Sequence, residues 1–126
     1  MSRTSQFSRP GLPLTPSAFY ILLSLSLRDR HGYDILKHVR SSSEGAIRLG
    51  PGTLYTTIRR LLEAGLIVEL EERGDPGQDD PRRRYYRLTD LGGRHLADEL
   101  RRMELALAVA GGPRPDPGRQ PRGEGA

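Results

Sequence analysis

The stretch GPGTLYTTIRRLLEAGLI, Gly50–Ile67, decides the fold, because it runs from a helix into a strand through a single glycine. Pro51 has the fixed φ of a first helical residue, and Leu54, Ile58, Leu61 and Leu62 return at the helical period. A helix is therefore predicted from about Pro51 to Ala64, with those four side chains facing a core. The same wheel points Thr56, Arg59, Arg60 and Glu63 outward, with Thr53 and Thr57 at one margin and Tyr55 at the other. Gly65 supplies the left-handed residue that ends the helix, and an apolar segment follows at once. An enzyme loop, a partner-binding helix and a helix that enters a DNA groove can each begin this way, so the flanking sequence has to separate them.

Upstream, Thr15 and Pro16 read as the N-cap and first residue of a helix to about Arg28, apolar on nearly every side. The chain turns at His31-Gly32, and a second helix is predicted from Tyr33 to Arg40 on the stripe Ile35, Leu36 and Val39. Ser41–Gly45 reads as a loop and Ala46–Leu49 as one short strand. Downstream come two strands, Leu66–Glu72 and Arg83–Leu88, joined by RGDPGQDDP, whose prolines, glycines and acids make a hairpin loop. Tyr85 and Tyr86 alternate faces of the second strand, and Tyr86 is assigned to the core. Thr89 caps a fourth helix on which Leu96, Leu100, Met103 and Leu107 form a heptad-like seam, ending at Gly111-Gly112-Pro113.

Three helices, a two-stranded hairpin and a further helix follow in the order of a winged helix-turn-helix domain. The fold expected is mainly α with this small hairpin. Residues 1–13 form a flexible N-terminal arm, 14–90 the winged domain, 91–110 a dimerisation helix and 111–126 a disordered tail rich in Pro, Gly and Arg. In that order the third helix turns its outward face to the major groove, where Arg reads guanine and Thr touches phosphate or a thymine methyl. The second strand opens with Arg82, Arg83 and Arg84, three adjacent cations that an anionic partner would relieve; Asp79 and Asp80 are the local alternative as counter-charges.

Composition bounds these readings. The 126 residues fit one domain, and the net charge of +4 with a pI near 10.0 is a weak clue, since Arg3, Arg9 and the tail carry most of it. Lys37 is the only lysine, a bias toward Arg that suits bidentate contacts but that genome composition also produces. Without cysteine there are no disulfides, thiolate metal sites or Cys nucleophile. Ala18–Leu27 is too short to span a bilayer and ends in charge, so it reads as a buried helix and the protein as cytoplasmic. His31, His38 and His95 lie on separate elements without metal-site spacing and read as surface or capping residues. Ser41–Ser43 has no base placed near it, and no carboxylates pair in an apolar frame. No catalytic residues, metal or cofactor are expected.

The segments HGYDILKHVR, GPGTLYTTIRRLLEAGLI and RRRYYRLTDLG resemble successive signatures of the PadR family of bacterial transcriptional regulators, over about Leu14 to Leu107. The resemblance implies a dimeric winged-helix DNA binder, usually a repressor. It places Tyr33, Thr53, Tyr55, Thr56 and Arg60 near DNA, with Arg82–Arg84 in the wing; Arg59 joins them from the outward face. This chain has Thr56 where the family commonly has proline, and its single fourth helix lacks the tryptophan of an aromatic, drug-stacking site. A two-fold homodimer is expected through Leu96, Leu100, Met103 and Leu107, with Leu22 and Leu25 of the first helix contributing because that helix has more apolar faces than one small core uses. A small-molecule effector at that interface is left open. The alternative function is a winged-helix module that binds an acidic protein.

Overall fold

The computed structural model describes residues 13–70 and 84–113. The rest of the N-terminal arm, Asp79, Asp80, Arg82, Arg83 and the tail beyond Pro113 lie outside the described residues. The expected fold class holds: four helices and a small antiparallel sheet.

Three of the four helices begin at a residue whose side chain caps them. Helix α1, Pro16–Leu27, starts at Thr15, whose hydroxyl accepts a bond from the Ala18 amide at 3.2 Å. Helix α2, Gly32–Ser42, starts at His31, whose Nδ1 accepts from the Asp34 amide at 3.2 Å. Helix α3, Pro51–Glu63, starts from Gly50 with no side-chain cap, and Gly65, at φ +79°, closes its end. Helix α4, Asp90–Val109, is capped by Thr89, which accepts from the Gly92 amide at 3.0 Å.

The sheet has three strands, β1 (Arg30–His31), β2 (Ile67–Glu69) and β3 (Tyr85–Leu88), in the order β1-β3-β2, all antiparallel. In register, Ile67 faces Leu88, Val68 faces Arg87, Glu69 faces Tyr86, and Arg30 faces Tyr86 from the other side. Strand β1 replaces the expected turn. The strand expected at Ala46–Leu49 is absent: that segment is a loop tied down by the buried Ser43, whose hydroxyl accepts from the Ile47 amide at 2.9 Å while Ile47 and Leu49 rest on the core.

The core gathers around α1. Ala18, Ile21, Leu22 and Leu25 meet Ile35 and Val39 of α2, Leu54, Ile58 and Leu61 of α3, and Tyr86 of β3, which is buried as assigned. Leu22 is 0% exposed and Leu25 3% exposed within the single chain. Both therefore drop out of the expected dimer interface, since the chain's own core already buries them. Leu96, also assigned to the interface, is core as well.

The junction of α3, β2 and α4 is tied by Thr89. Its hydroxyl donates to the Gly65 carbonyl at 2.6 Å while accepting from Gly92, and its amide donates to the Leu66 carbonyl at 3.1 Å. Gly92 lies against that same Leu66 carbonyl, where a side chain would overlap it and stand 2.8 Å from Leu88 Cδ1. A methyl at Gly93 would meet nothing nearer than Leu88 Cδ2 at 3.8 Å. Gly92→Ala should accordingly lose about 1–3 kcal/mol through overpacking against backbone. Gly93→Ala should be neutral or gain up to about 1 kcal/mol of helix propensity. Thermal unfolding of the two variants checks the contrast, which equal melting temperatures would refute.

Two histidines in this frame each carry a ring nitrogen with no hydrogen-bond partner among the described residues. His95 is buried, not on the surface, and its Nε2 has no hydrogen-bond partner among the described residues; the same holds for His38 Nδ1. Burial first, then neighbouring arginines, pull the His38 pKa down; burial first, then Arg94 and Arg102, pull His95 down against the opposing pull of Asp98. The unfolded chain then binds protons more readily than the folded one, so stability is full above the unfolded value of about 6.5 and falls as pH drops through the lower folded values. Urea unfolding between neutral and mildly acid pH should show this loss. His95→Leu should flatten it, and a variant as acid-sensitive as the parent would assign the loss to other groups.

Candidate nucleic-acid interface

Helix α3 divides its side chains as its sequence demands. Leu54, Ile58 and Leu61 are buried, while Thr53, Thr56, Arg59, Arg60 and Glu63 are exposed on the opposite side. Thr57 bends back, its hydroxyl donating to the Thr53 carbonyl at 2.8 Å. Gly50 and Gly52, at the start of α3, have nothing within 4 Å of where a side chain would be. That open end carries the uncapped amides and the positive end of the helix dipole.

The arginines fall into two groups. Arg30 is buried, its Nε donating to the Ser24 carbonyl at 2.8 Å and its Nη1 meeting Asp34 at 3.2 Å; Arg28 takes the other Asp34 oxygen at 3.1 Å. Arg87 holds Asp29 through two bonds, at 3.2 and 2.8 Å, which keep its pKa above the usual arginine value. Arg84, at the root of the wing, stands 3.6 Å from Glu69, so its counter-charge lies on the facing strand. Arg59 and Arg60, by contrast, have no ion-pair partner among the described residues. The cations left uncompensated include both arginines of the outward face of α3.

Tyr33 is 54% exposed on the first turn of α2, with the Lys37 ammonium 5.1 Å from its ring centre. Tyr55 departs from expectation. Its hydroxyl is closed off from solvent and its ring packs on the core and against Gly32, so it does not stand on the outward face with the threonines. The wheel put Tyr55 at a margin; the signal that decides its direction is a side-chain-free residue on another helix. The surface thus brings together Thr53, Thr56, Arg59 and Arg60 on one element and places Tyr33 and Arg84 on two others, while Arg82 and Arg83 are outside the described residues.

The far half of α4 is bare. Leu100, Met103 and Leu107 are exposed, as their seam assignment requires, and so are Leu105 and Val109, which the seam did not include. No group of three His, Cys, Asp or Glu able to hold a metal ion occurs among the described residues, and no described helix is long and apolar enough to cross a membrane.

Residues 21–98 match the transcriptional regulator PadR-like family. The transcriptional regulator YqjI of Escherichia coli K12 is 32% identical over 85 residues, 68% of this chain and 38% of that protein. The transcriptional regulator Rv3488 of Mycobacterium tuberculosis is 39% identical over 84 residues, 66% of this chain and 62% of that protein. The chain thus spans less than two thirds of either relative. A solved transcriptional regulator from Clostridium thermocellum superposes with a TM-score of 0.59 at 29% identity, over 75% of this chain and 88% of that one.

Proposed function

Since the chain belongs to the PadR-like family of transcriptional regulators, we propose that it is a repressor that binds a pseudo-palindromic DNA operator as a homodimer. The observation that carries this reading is the outward face of α3, where Thr53, Thr56, Arg59 and Arg60 are exposed and the arginines have no carboxylate partner among the described residues. A helix of this kind enters the major groove with Arg60 directed at a guanine edge and the threonines at phosphate or thymine methyl. The open N-terminus of α3 receives a backbone phosphate. Tyr33 from α2 and the wing arginines Arg82–Arg84 take phosphates on either side. The protein acts by binding, with no catalytic step, in the cytoplasm where its DNA lies.

The dimer forms through the distal half of α4. Leu100, Met103 and Leu107 make one apolar stripe beyond the part of the helix that covers the winged domain, and a second copy buries it. Two-fold pairing places the two α3 helices about one DNA turn, roughly 34 Å, apart. An effector that changes how the two α4 helices meet changes that spacing, so the dimer interface is the place for small-molecule control.

The direct test is binding to the DNA upstream of the protein's own gene against excess random duplex, over a range of salt. Retention of one site supports the reading; weak, sequence-blind retention would favour a module for an acidic protein partner. Within that assay Arg60→Ala should lose about 1–3 kcal/mol at one base position. Unchanged affinity for both specific and random DNA would remove Arg60 from the interface. Sedimentation should find the parent protein dimeric at micromolar concentration. The double variant Leu100→Glu/Leu107→Glu should sediment as a monomer that keeps its helical circular dichroism and binds the site far more weakly. A dimeric charged variant would refute the α4 interface.

A further inference from the structure

Tyr55 lies on the outward helix but points away from its exposed face. The space in front of Gly32, the first residue of α2, is filled by its phenol: a Cβ there would lie 2.8 Å from Tyr55 Cζ, 3.0 Å from Cε1, and would overlap the oxygen. Gly32 is not at positive φ, so its backbone conformation does not call for glycine. What calls for it is the ring. Tyr55 also packs against the buried core cluster to which Tyr86 belongs. Tyr86 is buried in the central strand, paired with both Arg30 and Glu69. One side chain of α3 therefore meets the start of α2 and rests on the shared core.

We propose that Tyr55 is a positioning residue for DNA recognition: its phenol, seated on the bare backbone of Gly32, sets the angle of α3 against α2 and so aims Arg60 and the threonines at the bases. The aiming role rests on the reading of α3 as the recognition helix, whereas the seat on Gly32 stands apart from it. A helix turned by a few degrees about this contact keeps its charges and its phosphate contacts but misplaces the base contacts, which require near-linear hydrogen bonds. Loss of the seat should therefore reduce discrimination more than affinity.

The experiment uses the full chain and two duplexes, one selected by the parent protein from a random-sequence library and one scrambled. Gly32→Ala should weaken binding to the selected duplex about tenfold or more, the size of a lost base contact. Binding to the scrambled duplex, held through phosphates, should stay within about twofold. Tyr55→Phe keeps the ring against Gly32 but not the oxygen nearest to it, and should retain more of the preference for the selected duplex than Tyr55→Leu. In a Tyr55→Leu background, Gly32→Ala should cost no further discrimination, because the ring it displaces is gone. A Tyr55→Phe loss shared equally by both duplexes would make the hydroxyl a phosphate contact and overturn the proposal. So would a Gly32→Ala effect that is the same with and without the ring. Amide hydrogen exchange of the DNA-free protein is the second readout: Gly32→Ala should speed exchange in α3 and leave α1 unchanged, and protection of α3 equal to the parent's would overturn the seat itself. If the parent selects no duplex, the DNA-binding reading fails, and the exchange result decides on its own whether Tyr55 holds α3.

Discussion

The buried guanidinium of Arg30 is the constraint on which the helix-turn-helix frame depends. It ties the Ser24 carbonyl near the end of α1 to Asp34 in the first turn of α2, and its own backbone forms the strand that pairs with Tyr86. A charged donor bonded in this way contributes on the order of 1.5–3 kcal/mol, but its larger effect is geometric. The connection between α1 and α2 leaves little room for error, and Arg30 fixes where α1 stops, where the sheet begins and where α2 starts. The placement of α3 follows, because Tyr55 takes its seat on the residue two positions beyond Arg30. Arg28 on the same Asp34, and Asp29 on Arg87 of β3, extend the tie to both neighbours.

Arginine thus has two separate uses in this chain. Arg28, Arg30, Arg84, Arg87 and Arg102 are each held by a carboxylate, while Arg59 and Arg60 are held by none among the described residues. A composition count cannot tell these apart, and net charge hides the distinction altogether. The difference between a structural and an available arginine is set by whether an acid stands within reach in three dimensions. For Arg84 the acid is Glu69, fifteen positions away in sequence but on the facing strand.

Most of the architecture was legible in the sequence because it is written in local signals. Thr15-Pro16, Gly65 and Thr89 mark helix ends by their own chemistry, and the inner stripe of α3 repeats often enough to be read. Strand β1 was not legible, since two residues cannot display a period and its pairing depends on a strand more than fifty positions later. Ala46–Leu49 misled because half-buried apolar residues alternate in loops as well as in strands. Leu22 and Leu25 were assigned to a dimer interface because hydropathy says that a side chain is covered but not by what, and what covers them is the chain's own core. The outward direction of Thr53, Thr56, Arg59 and Arg60 followed from the wheel. The inward turn of Tyr55 did not, because it depends on a missing side chain on a different helix.

Thr89 spends its one hydroxyl twice, as donor to the end of α3 and as acceptor from the start of α4. With Gly92 closed against the Leu66 carbonyl, the near end of α4 has no slack relative to the turn that leaves α3. The far end of this twenty-residue helix, some 30 Å away at 1.5 Å per residue, is uncovered. A rod clamped at one end and free at the other is a lever. The clamp extends to the middle of the helix, where Leu96 is buried and Glu99 accepts from the Leu14 amide, so the arm of that lever is the last ten residues and its support is α1.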